Sequence, residues 1–317
     1  MFNEITVKVY LVTGLLDSGK TTFIKETLLV QDWIEDGNKL LICCEEGEET
    51  FEDALLREKN VFVDYVDDMD ELTETFLKNC EDKYHPVQIV IECNGMWKIE
   101  EFLEKDFPDH WELHGIYAIA DGSTLDIYWK NMRSILMEQM KISDYIIVNR
   151  SVNSETSREF RRCVKIQNPD AKIAFMNSEG NKISIDDGKM PFEFIEDTIV
   201  IEDDYYGLWY ADAYEHPARY IDKYIEFKAL AIVNRDIRNN MFIPVREIMT
   251  CCEDDIQYYG YPCYVKNIDE IPENQWVKIK AKFSCEQMQS SKKLQPVLHL
   301  IKMEIAKAPR EPVAFLG

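Results

Sequence analysis

Residues 14–22 read GLLDSGKTT, and this stretch decides how the first half of the chain folds. It fits the pattern G-x-x-x-x-G-K-[ST], follows the apolar run VKVYLV (7–12) and leads into the helix-forming run TTFIKETLLV (21–30), which is the order that a phosphate-binding loop requires. Glycines let the backbone N–H groups turn inward, Lys20 reaches the terminal phosphates, and the Thr21 hydroxyl is available to Mg²⁺. The sequence therefore predicts a nucleotide site formed by Gly14, Asp17, Ser18, Gly19, Lys20, Thr21 and Thr22.

Short apolar runs alternate with helix-length spacers on the carboxyl side of this loop. The runs are KLLICC (39–44), NVFVDYV (60–66), VQIVIEC (87–93), GIYAIA (115–120), DYIIVN (144–149) and KIAFMN (172–177). Such a rhythm is typical of stacked β-α-β units. We expect residues 1–178 to form an α/β P-loop NTPase domain, with a mostly parallel sheet flanked by helices.

The rhythm changes after Tyr224, where strand candidates leave little room for helices. They are IEFKALAIVNR (225–235), MFIPVREIM (241–249), YPCYVKN (261–267), WVKIKAKFS (276–284) and VLHLIKMEI (297–305). This pattern predicts a small all-β domain over residues 223–317, either a barrel or a sandwich. Residues 179–222 have no clean period and are interpreted as a linker between the domains.

Composition limits the classes of partner. The 317 residues include 36 Lys plus Arg against 59 Asp plus Glu, a net charge of −23, which disfavours nucleic acid and anionic lipid. The first residues place Glu4 and Lys8 where a signal peptide needs an apolar run, and no stretch has the length of a membrane span. The nine cysteines are odd in number and scattered, so we expect a cytoplasmic protein that is not embedded in a membrane.

A carboxylate follows one of the predicted strands. Glu92 ends the run VQIVIE and begins the tetrapeptide Glu-Cys-Asn-Gly, which ends at Gly95. We expect Glu92 to hold Mg²⁺ or its water beside the catalytic Lys20 and Thr21, and the Gly95 N–H to sense a terminal phosphate. The alternative is that Glu92 merely ends a strand. The acidic run 45–49 is either a metal-sensing loop or a solvated charge run, and its Glu45, Glu46 and Glu48 are candidates for positioning the attacking water.

The segment DYIIVNRSVN (144–153) is interpreted as a worn form of the base-reading pattern Asn-Lys-x-Asp. Asn149 and Arg150 would line the base site, and Arg150 stands where the pattern has Lys. Val152 stands where an Asp would accept the guanine N1 and N2 protons. Asn153, Asn177 and Ser178 are candidates to compensate. We therefore expect only a modest preference for GTP over ATP.

The order of these segments, closed by NPDA (168–171), resembles that of the CobW-like GTPases, relatives of the urease and hydrogenase nickel chaperones. A Glu-x-x-Gly in place of Asp-x-x-Gly is typical of that group. The resemblance implies GTP and GDP with Mg²⁺ as ligands, and a role in handling a metal ion, most often zinc or cobalt, for a metal-dependent target. Family members usually carry Cys-x-Cys-Cys after the acidic loop, whereas residues 60–74 of this chain contain no cysteine.

A second resemblance covers the carboxyl-terminal half. YYGLW (205–209), HP (216–217), MTCCEDD (249–255) and QWV (275–277) look like segments of YcgQ-like proteins, which are partners of a proposed permease. It implies an OB-type barrel and a permease-associated partner. Cys251, Cys252, Asp255 and His216 are residue types that ligate Zn²⁺, and the alternative is that the thiols are simply buried.

A further pair of thiols, Cys43 and Cys44, ends the second predicted strand. The pair is a candidate to replace the missing Cys-x-Cys-Cys. The alternative is two core thiols, because alternation along a strand points neighbouring side chains to opposite faces.

Together these features predict a GTP-binding, GTP-hydrolysing protein of metal homeostasis or metallochaperone delivery. One alternative is a module that binds nucleotide without hydrolysing it and thereby gates a protein interaction. A P-loop small-molecule kinase is another, although no arginine-rich lid segment is evident. A scaffold with a residual P-loop is the third, and the intact Lys20-Thr21 pair argues against it.

Overall fold

A computed structural model of the chain describes residues 6–28, 36–45, 47, 51–233, 240–287 and 294–316. The chain divides into two compact units, one of residues 1–164 and 168–185 and the other of residues 165–167 and 186–317. The main division, after residue 185, lies inside the segment 179–222 that the sequence analysis interpreted as a linker. That segment also contains a helix, Tyr206–Glu215.

The first unit is built on one eight-stranded sheet. Its strands are Val7–Thr13 (β1), Lys39–Cys43 (β2), Val61–Tyr65 (β3), Gln88–Glu92 (β4), Trp111–Asp121 (β5), Tyr145–Asn149 (β6), Lys172–Met176 (β7) and Lys182–Ile183 (β8). The strand order is β3-β2-β4-β1-β5-β6-β7-β8. All neighbours run parallel except β7 and β8. The prediction of a P-loop NTPase fold with a mostly parallel sheet is therefore confirmed.

Helices connect these strands and cover the sheet. They are Lys20–Leu28 (α1), Asp53–Glu58 (α2), Glu74–Tyr84 (α3), Ile99–Leu103 (α4), Leu125–Asn131 (α5), Arg133–Lys141 (α6) and Glu155–Gln167 (α7). Successive strand residues enter different cores: Leu11 belongs to one apolar cluster and its neighbour Val12 to another. A sheet that is buried on both faces explains why its strands read as continuous apolar runs.

The position of β1 decides where a site can form. This strand lies between β4 and β5, with Val12 in register with Glu92 and Thr13 in register with Ala118. The carboxyl ends of parallel strands meet at one edge of the sheet. The loop after β1, Glu92 at the end of β4 and Asp121 at the end of β5 therefore lie at the same edge.

The second unit contains one more helix, α8 (Tyr206–Glu215), and a set of mostly antiparallel strands. The strands are Thr198–Val200 (β9), Tyr224–Ile232 (β10), Met241–Met249 (β11), Ile256–Tyr259 (β12), Cys263–Tyr264 (β13), Trp276–Gln287 (β14), Leu294–Ile305 (β15) and Val313–Phe315 (β16). Five of them close on themselves, because β10 pairs with both β11 and β14, β14 with β15, β15 with β13, and β13 with β11.

These five strands overlap the five runs that the sequence analysis identified after Tyr224, and the prediction of an all-β domain is confirmed. Its interior follows a two-residue alternation: Phe227 and Ala229 of β10 are buried, as are Ile279, Ala281 and Phe283 of β14, whereas the residues that alternate with them are half-buried. Such alternation is what a closed sheet with one buried face requires.

Among the helices that the structure describes, none combines the length and apolar character needed to cross a membrane.

Candidate functional site

The loop between β1 and α1 has a backbone shape that its glycines permit. Gly14 has a φ of +141°, and a Cβ added there would lie 2.1 Å from the carbonyl oxygen of Ile119. Any side chain at this position is therefore excluded by both conformation and space. Gly95, after β4, is constrained by space alone, because its Cβ would lie 2.4 Å from the Gly14 oxygen. The two glycines let the segment after β4 pack directly on the loop.

A cavity of about 460 Å³ opens beside this loop, and we call it the P-loop cavity. It is lined by Leu16, Asp17, Gly19, Lys20, Thr21, Thr22, Glu45, Gly47, Glu92, Asp121, Ser123 and Arg150. Most of the phosphate-site residues predicted from the sequence are thus brought together. Gly14 and Ser18 contribute to the loop without lining this cavity.

Lys20 is the buried cation of the P-loop cavity. Its residue is only 4% exposed, and its ammonium group donates to the carbonyl oxygens of Gly14 (2.8 Å) and Leu15 (3.1 Å). The third partner is the Glu45 carboxylate, with Nζ and Oε2 separated by 2.5 Å. Glu45 is therefore part of the site, whereas Glu46 and Glu48 lie outside the described residues.

Thr21 and Glu92 form a hydrogen-bonded pair in the same cavity as Lys20. The Thr21 hydroxyl donates to Glu92 Oε1 at 2.7 Å. Glu92 is buried, and this burial raises the pKa of its carboxyl group, while the hydrogen bond from Thr21 and the charge of Lys20 act in the opposite direction. A hydroxyl and a carboxylate oxygen are ligands that Mg²⁺ accepts, so the residues present fit this ion.

The segment after β4 is held by a side chain that the sequence analysis missed. Gln139 of α6 is buried, and its amide nitrogen donates to the carbonyl oxygens of Gly95 (3.2 Å) and Trp97 (3.1 Å). Its amide oxygen accepts from the Thr13 hydroxyl at the end of β1. A single glutamine inside a helix belongs to no motif, so only the fold reveals this role.

A second cavity, of about 550 Å³, lies next to the first, and we call it the Asn149 cavity. It shares Gly19, Thr22 and Arg150 with the P-loop cavity. Its other lining residues are Phe23, Glu26, Thr27, Ile119, Ile147, Asn149, Ala174, Met176, Asn177, Ser178, Glu179 and Gly180. Apolar side chains from three strands and α1 thus form its walls, with polar groups at the loop after β7.

Asn149 links this cavity to the P-loop. Its side-chain nitrogen donates to the Ser18 carbonyl oxygen at 2.6 Å. The Oδ1 atom of Asn149 and the Oγ atom of Ser18 are buried with no hydrogen-bond partner in the part of the chain that the structure describes. Buried polar atoms without a partner are costly. Asn149 lines the cavity, so a bound molecule that donates to its Oδ1, such as a nucleotide, would relieve this cost, whereas Ser18 lines neither cavity.

The predicted base-reading segment is only partly at the Asn149 cavity. Asn177 and Ser178 line it, whereas Val152 and Asn153 are not among the described lining residues, and Val152 is 63% exposed. Asn177 also shapes the loop, because its Oδ1 accepts from the backbone N–H groups of residues 179 (3.0 Å) and 181 (2.9 Å). Of the three candidates to replace the missing Asp, two are therefore placed where a base could reach them.

Arg150 lies at the boundary of the two cavities and contacts a carboxylate that sequence reasoning missed. Its guanidinium group donates to the Asp17 carbonyl oxygen (3.2 Å) and pairs with the Asp121 carboxylate (2.8 Å). Burial opposes the charge of Asp121, but hydrogen bonds from Ser123 and Arg150 outweigh it and lower the pKa of this carboxyl group. The available signal was that Asp121 ends the apolar run of β5, as Glu92 ends that of β4.

Of the four predicted zinc ligands, Cys251 contacts both Cys252 and Asp255 in the second unit, but the donor atoms of these three described residues do not converge into a group that could hold a metal ion. Cys251 Sγ is 3.8 Å from Cys252 Sγ and 3.3 Å from Asp255 Oδ2. His216 is elsewhere: its Nε2 contacts Asp187 Oδ1 at 3.1 Å.

His216 and its neighbours form a separate charged group at the end of α8. Donor atoms of Asp187, Asp212 and His216 lie within 4.8 Å of one another. Arg219 pairs with both carboxylates, at 2.6 Å from Asp212 and at close contact with Asp187. Because one guanidinium already pairs with both carboxylates, the group is a salt-bridge network in the second unit.

Cys43 and Cys44 do not form a joint site on one face. Cys43 belongs to one apolar cluster of the first unit and Cys44 to the other, as alternation along a strand dictates. Burial raises the pKa of both thiols. Cys43 Sγ is 3.9 Å from Glu92 Oε2, so of the two only this thiol approaches the P-loop cavity among the described residues.

Solved structures similar to this chain share little sequence with it. A Zn(II)-bound triple mutant of the YjiA GTPase is 19% identical, with 73% of this chain and 74% of that chain covered and a TM-score of 0.41. Hydrogenase maturation factor HypB from Archaeoglobus fulgidus is 17% identical, with coverages of 56% and 84% and a TM-score of 0.38. HypB from Helicobacter pylori in complex with nickel is 14% identical, with coverages of 55% and 80% and a TM-score of 0.36. Among curated protein sequences, none matches this chain.

Two family models match the chain, one for each unit. Residues 8–175 match the CobW/HypB/UreG nucleotide-binding domain. Residues 186–316 match the DUF1980 C-terminal domain. The first match spans more than half of the chain and contains the P-loop, Glu92, Gly95 and Asn149. The chain therefore belongs to the CobW/HypB/UreG nucleotide-binding family and carries a DUF1980 C-terminal domain.

Proposed function

We propose that this protein binds GTP with Mg²⁺, hydrolyses it slowly, and uses the nucleotide to control the handling of a metal ion, zinc or cobalt. The recipient would be a metal-dependent or permease-associated protein in the cytoplasm. The observation that carries the proposal is the arrangement of Lys20, Thr21 and Glu92 in the P-loop cavity, with a second cavity of nucleoside size beside it.

The roles of the residues follow from their positions. Lys20 would bind the terminal phosphates, and the backbone of residues 14–19 would surround them. Thr21 and Glu92 would hold Mg²⁺, which when bound offsets negative charge on the phosphoryl group that is transferred. Asn149 would orient the nucleoside, because its amide already ties the base side of the site to Ser18. These interactions are those that stabilise phosphoryl transfer by position and charge.

One observation favours the alternative of a module that binds nucleotide without hydrolysing it. Of the three glutamates that are candidates for positioning the attacking water, Glu45 is the one that lies within the described residues. Its carboxylate is paired with Lys20. No arginine finger is evident in the sequence, so turnover by the isolated chain should be slow. Coupling between nucleotide and metal would then act through binding alone.

Titration calorimetry with GTP, GDP and ATP, each with Mg²⁺ and with or without Zn²⁺, tests the proposal. GTP binding that changes with Zn²⁺ would support metal handling, because coupling between two sites is reciprocal. Tight binding that is indifferent to Zn²⁺ would favour the nucleotide-gated module, and absence of nucleotide binding would overturn both. The double variant Cys251→Ala/Cys252→Ala is the matched control, since it should abolish zinc binding in the second unit and leave the P-loop cavity intact.

A further inference from the structure

The ammonium group of Lys20 is fully engaged. An ammonium has three N–H donors, and Lys20 directs them to the carbonyl oxygens of Gly14 and Leu15 and to Glu45 Oε2. Two of these acceptors belong to the loop itself. A phosphate that binds Lys20 must therefore displace the third acceptor, Glu45.

The other oxygen of the same carboxylate contacts the segment after β4. Gly95 N lies 3.4 Å from Glu45 Oε1 and donates to it. One carboxylate thus bridges the P-loop lysine and the backbone N–H expected to sense a terminal phosphate. The Glu45 side chain is only 12% exposed, so it is inserted into the cavity and is not a solvated surface charge.

We propose that the Glu45 carboxylate occupies the place of the terminal phosphate, and that this makes the site discriminate between nucleoside triphosphates and diphosphates. The inference rests on the proposed function, because it takes a nucleoside phosphate as the ligand. A carboxylate and a terminal phosphate both present negative oxygens to the same two donors, and they cannot occupy one position together.

The consequences differ for the two nucleotides. A triphosphate must break both contacts of Glu45, with Lys20 and with Gly95. A diphosphate needs only the Lys20 contact, because it has no phosphate to place at the Gly95 N–H. Hydrogen bonds to charged groups are stronger than neutral ones, so Glu45 weakens triphosphate binding more than diphosphate binding.

Affinities of Glu45 variants for a non-hydrolysable GTP analogue and for GDP, both with Mg²⁺, test the inference. In Glu45→Ala the affinity for the GTP analogue should rise about tenfold relative to that for GDP. Glu45→Gln should give a smaller rise, because its amide oxygen still accepts from Lys20 or Gly95 but carries no charge. Isothermal titration calorimetry measures both constants without requiring turnover.

Glu100→Gln is the matched control, because Glu100 is an exposed carboxylate of α4 outside both cavities. It changes the net charge as Glu45→Gln does and should leave the ratio of the two affinities unchanged. An unaltered or lower ratio in Glu45→Ala, with both nucleotides still bound, would overturn the inference and leave the proposed function standing. If neither the native chain nor any variant binds nucleotide, the proposed function fails as well.

Discussion

The P-loop cavity and the Asn149 cavity lie side by side and share three lining residues, yet they are formed by different parts of the protein structure. The first depends on the backbone of one short loop and on a single buried lysine, and its motif is intact. The second takes its walls from side chains of several separate strands, and its expected carboxylate is missing at Val152. Phosphate recognition depends on a backbone shape that requires certain residues at a fixed spacing, so it is visible in the sequence as a motif. Base recognition depends on side chains that different positions can supply, so it leaves no fixed spacing.

The largest expected effect is at the phosphate side. Lys20→Ala removes the buried cation from the P-loop cavity and leaves the Glu45 and Glu92 carboxylates without it. We expect the affinity for GTP and ATP to fall by about a hundredfold, because the hydrogen bonds from Lys20 to the phosphate oxygens and its attraction to their negative charge are both lost.

Calorimetry with Lys98→Ala as control checks this prediction. Lys98 is exposed before α4 and pairs with Glu101, so its loss changes the net charge equally without touching the cavity. Equal affinities in Lys20→Ala and the native chain would show that the P-loop cavity does not bind the phosphates. Phosphate and base would then not be recognised in separate cavities.

A smaller effect is expected at the base side. The native chain should prefer GTP over ATP by less than about tenfold, because no carboxylate at position 152 accepts the guanine N1 and N2 protons. Ser178→Asp supplies such a group at an exposed position that lines the Asn149 cavity, where the substitution costs little stability. The ratio of GTP to ATP affinity should therefore rise about fivefold.

Competition binding of the two nucleotides measures this ratio. Ser178→Asn is the matched control, because Asn has the size of Asp but its amide lacks the negative charge. A strong base preference in the native chain would mean that residues 144–153 have been misinterpreted.

The smallest effect is expected at the boundary of the cavities. Because the pKa of Asp121 is lowered in the folded chain, its charged form is the one that stabilises the fold. That contribution is present above the ordinary pKa of 3.8 and is lost as the pH falls through the lowered folded value. Asp121→Asn should cost less than about 1 kcal/mol at pH 6, because Arg150 is half exposed.

Urea unfolding of the native chain and of Asp121→Asn at pH 6 and pH 3 tests this sign. The difference in unfolding free energy between the two should shrink at pH 3. A difference that grows on acidification would contradict the assignment of Asp121 as the charged partner of Arg150.

Long apolar runs made the fold predictable. Each apolar run that contains one of β1 to β7 or one of the five barrel strands extends over five or more residues. The barrel strand β13 itself has two residues and pairs with two longer strands, β11 and β15. The strands β8, β9, β12 and β16 have two to four residues, too few to show a period. These short strands pair with longer strands that are already part of a sheet. Their extended conformation is determined by this pairing and not by their own sequence.

The candidate site was predictable only where a motif fixes the spacing. Lys20, Thr21 and Glu92 follow from the loop and from the strand end, and the structure brings them together. Gln139 could not be found in this way, because it comes from a helix distant in the sequence and belongs to no motif. The only signal for Asp121 was its place at the end of an apolar run. The set of Cys251, Cys252, Asp255 and His216 rested on residue types alone, and the ring of His216 is engaged by Asp187 instead.

The three hydrogen bonds of Gln139 have a consequence for how the segment after β4 can move. One rigid amide group holds Thr13, Gly95 and Trp97 at the same time, and it is sealed from solvent. A gradual drift of this segment would stretch several bonds at once inside the protein, where no water replaces them. Any rearrangement there should consequently be abrupt, a cooperative jump between two discrete arrangements in which α6 takes part.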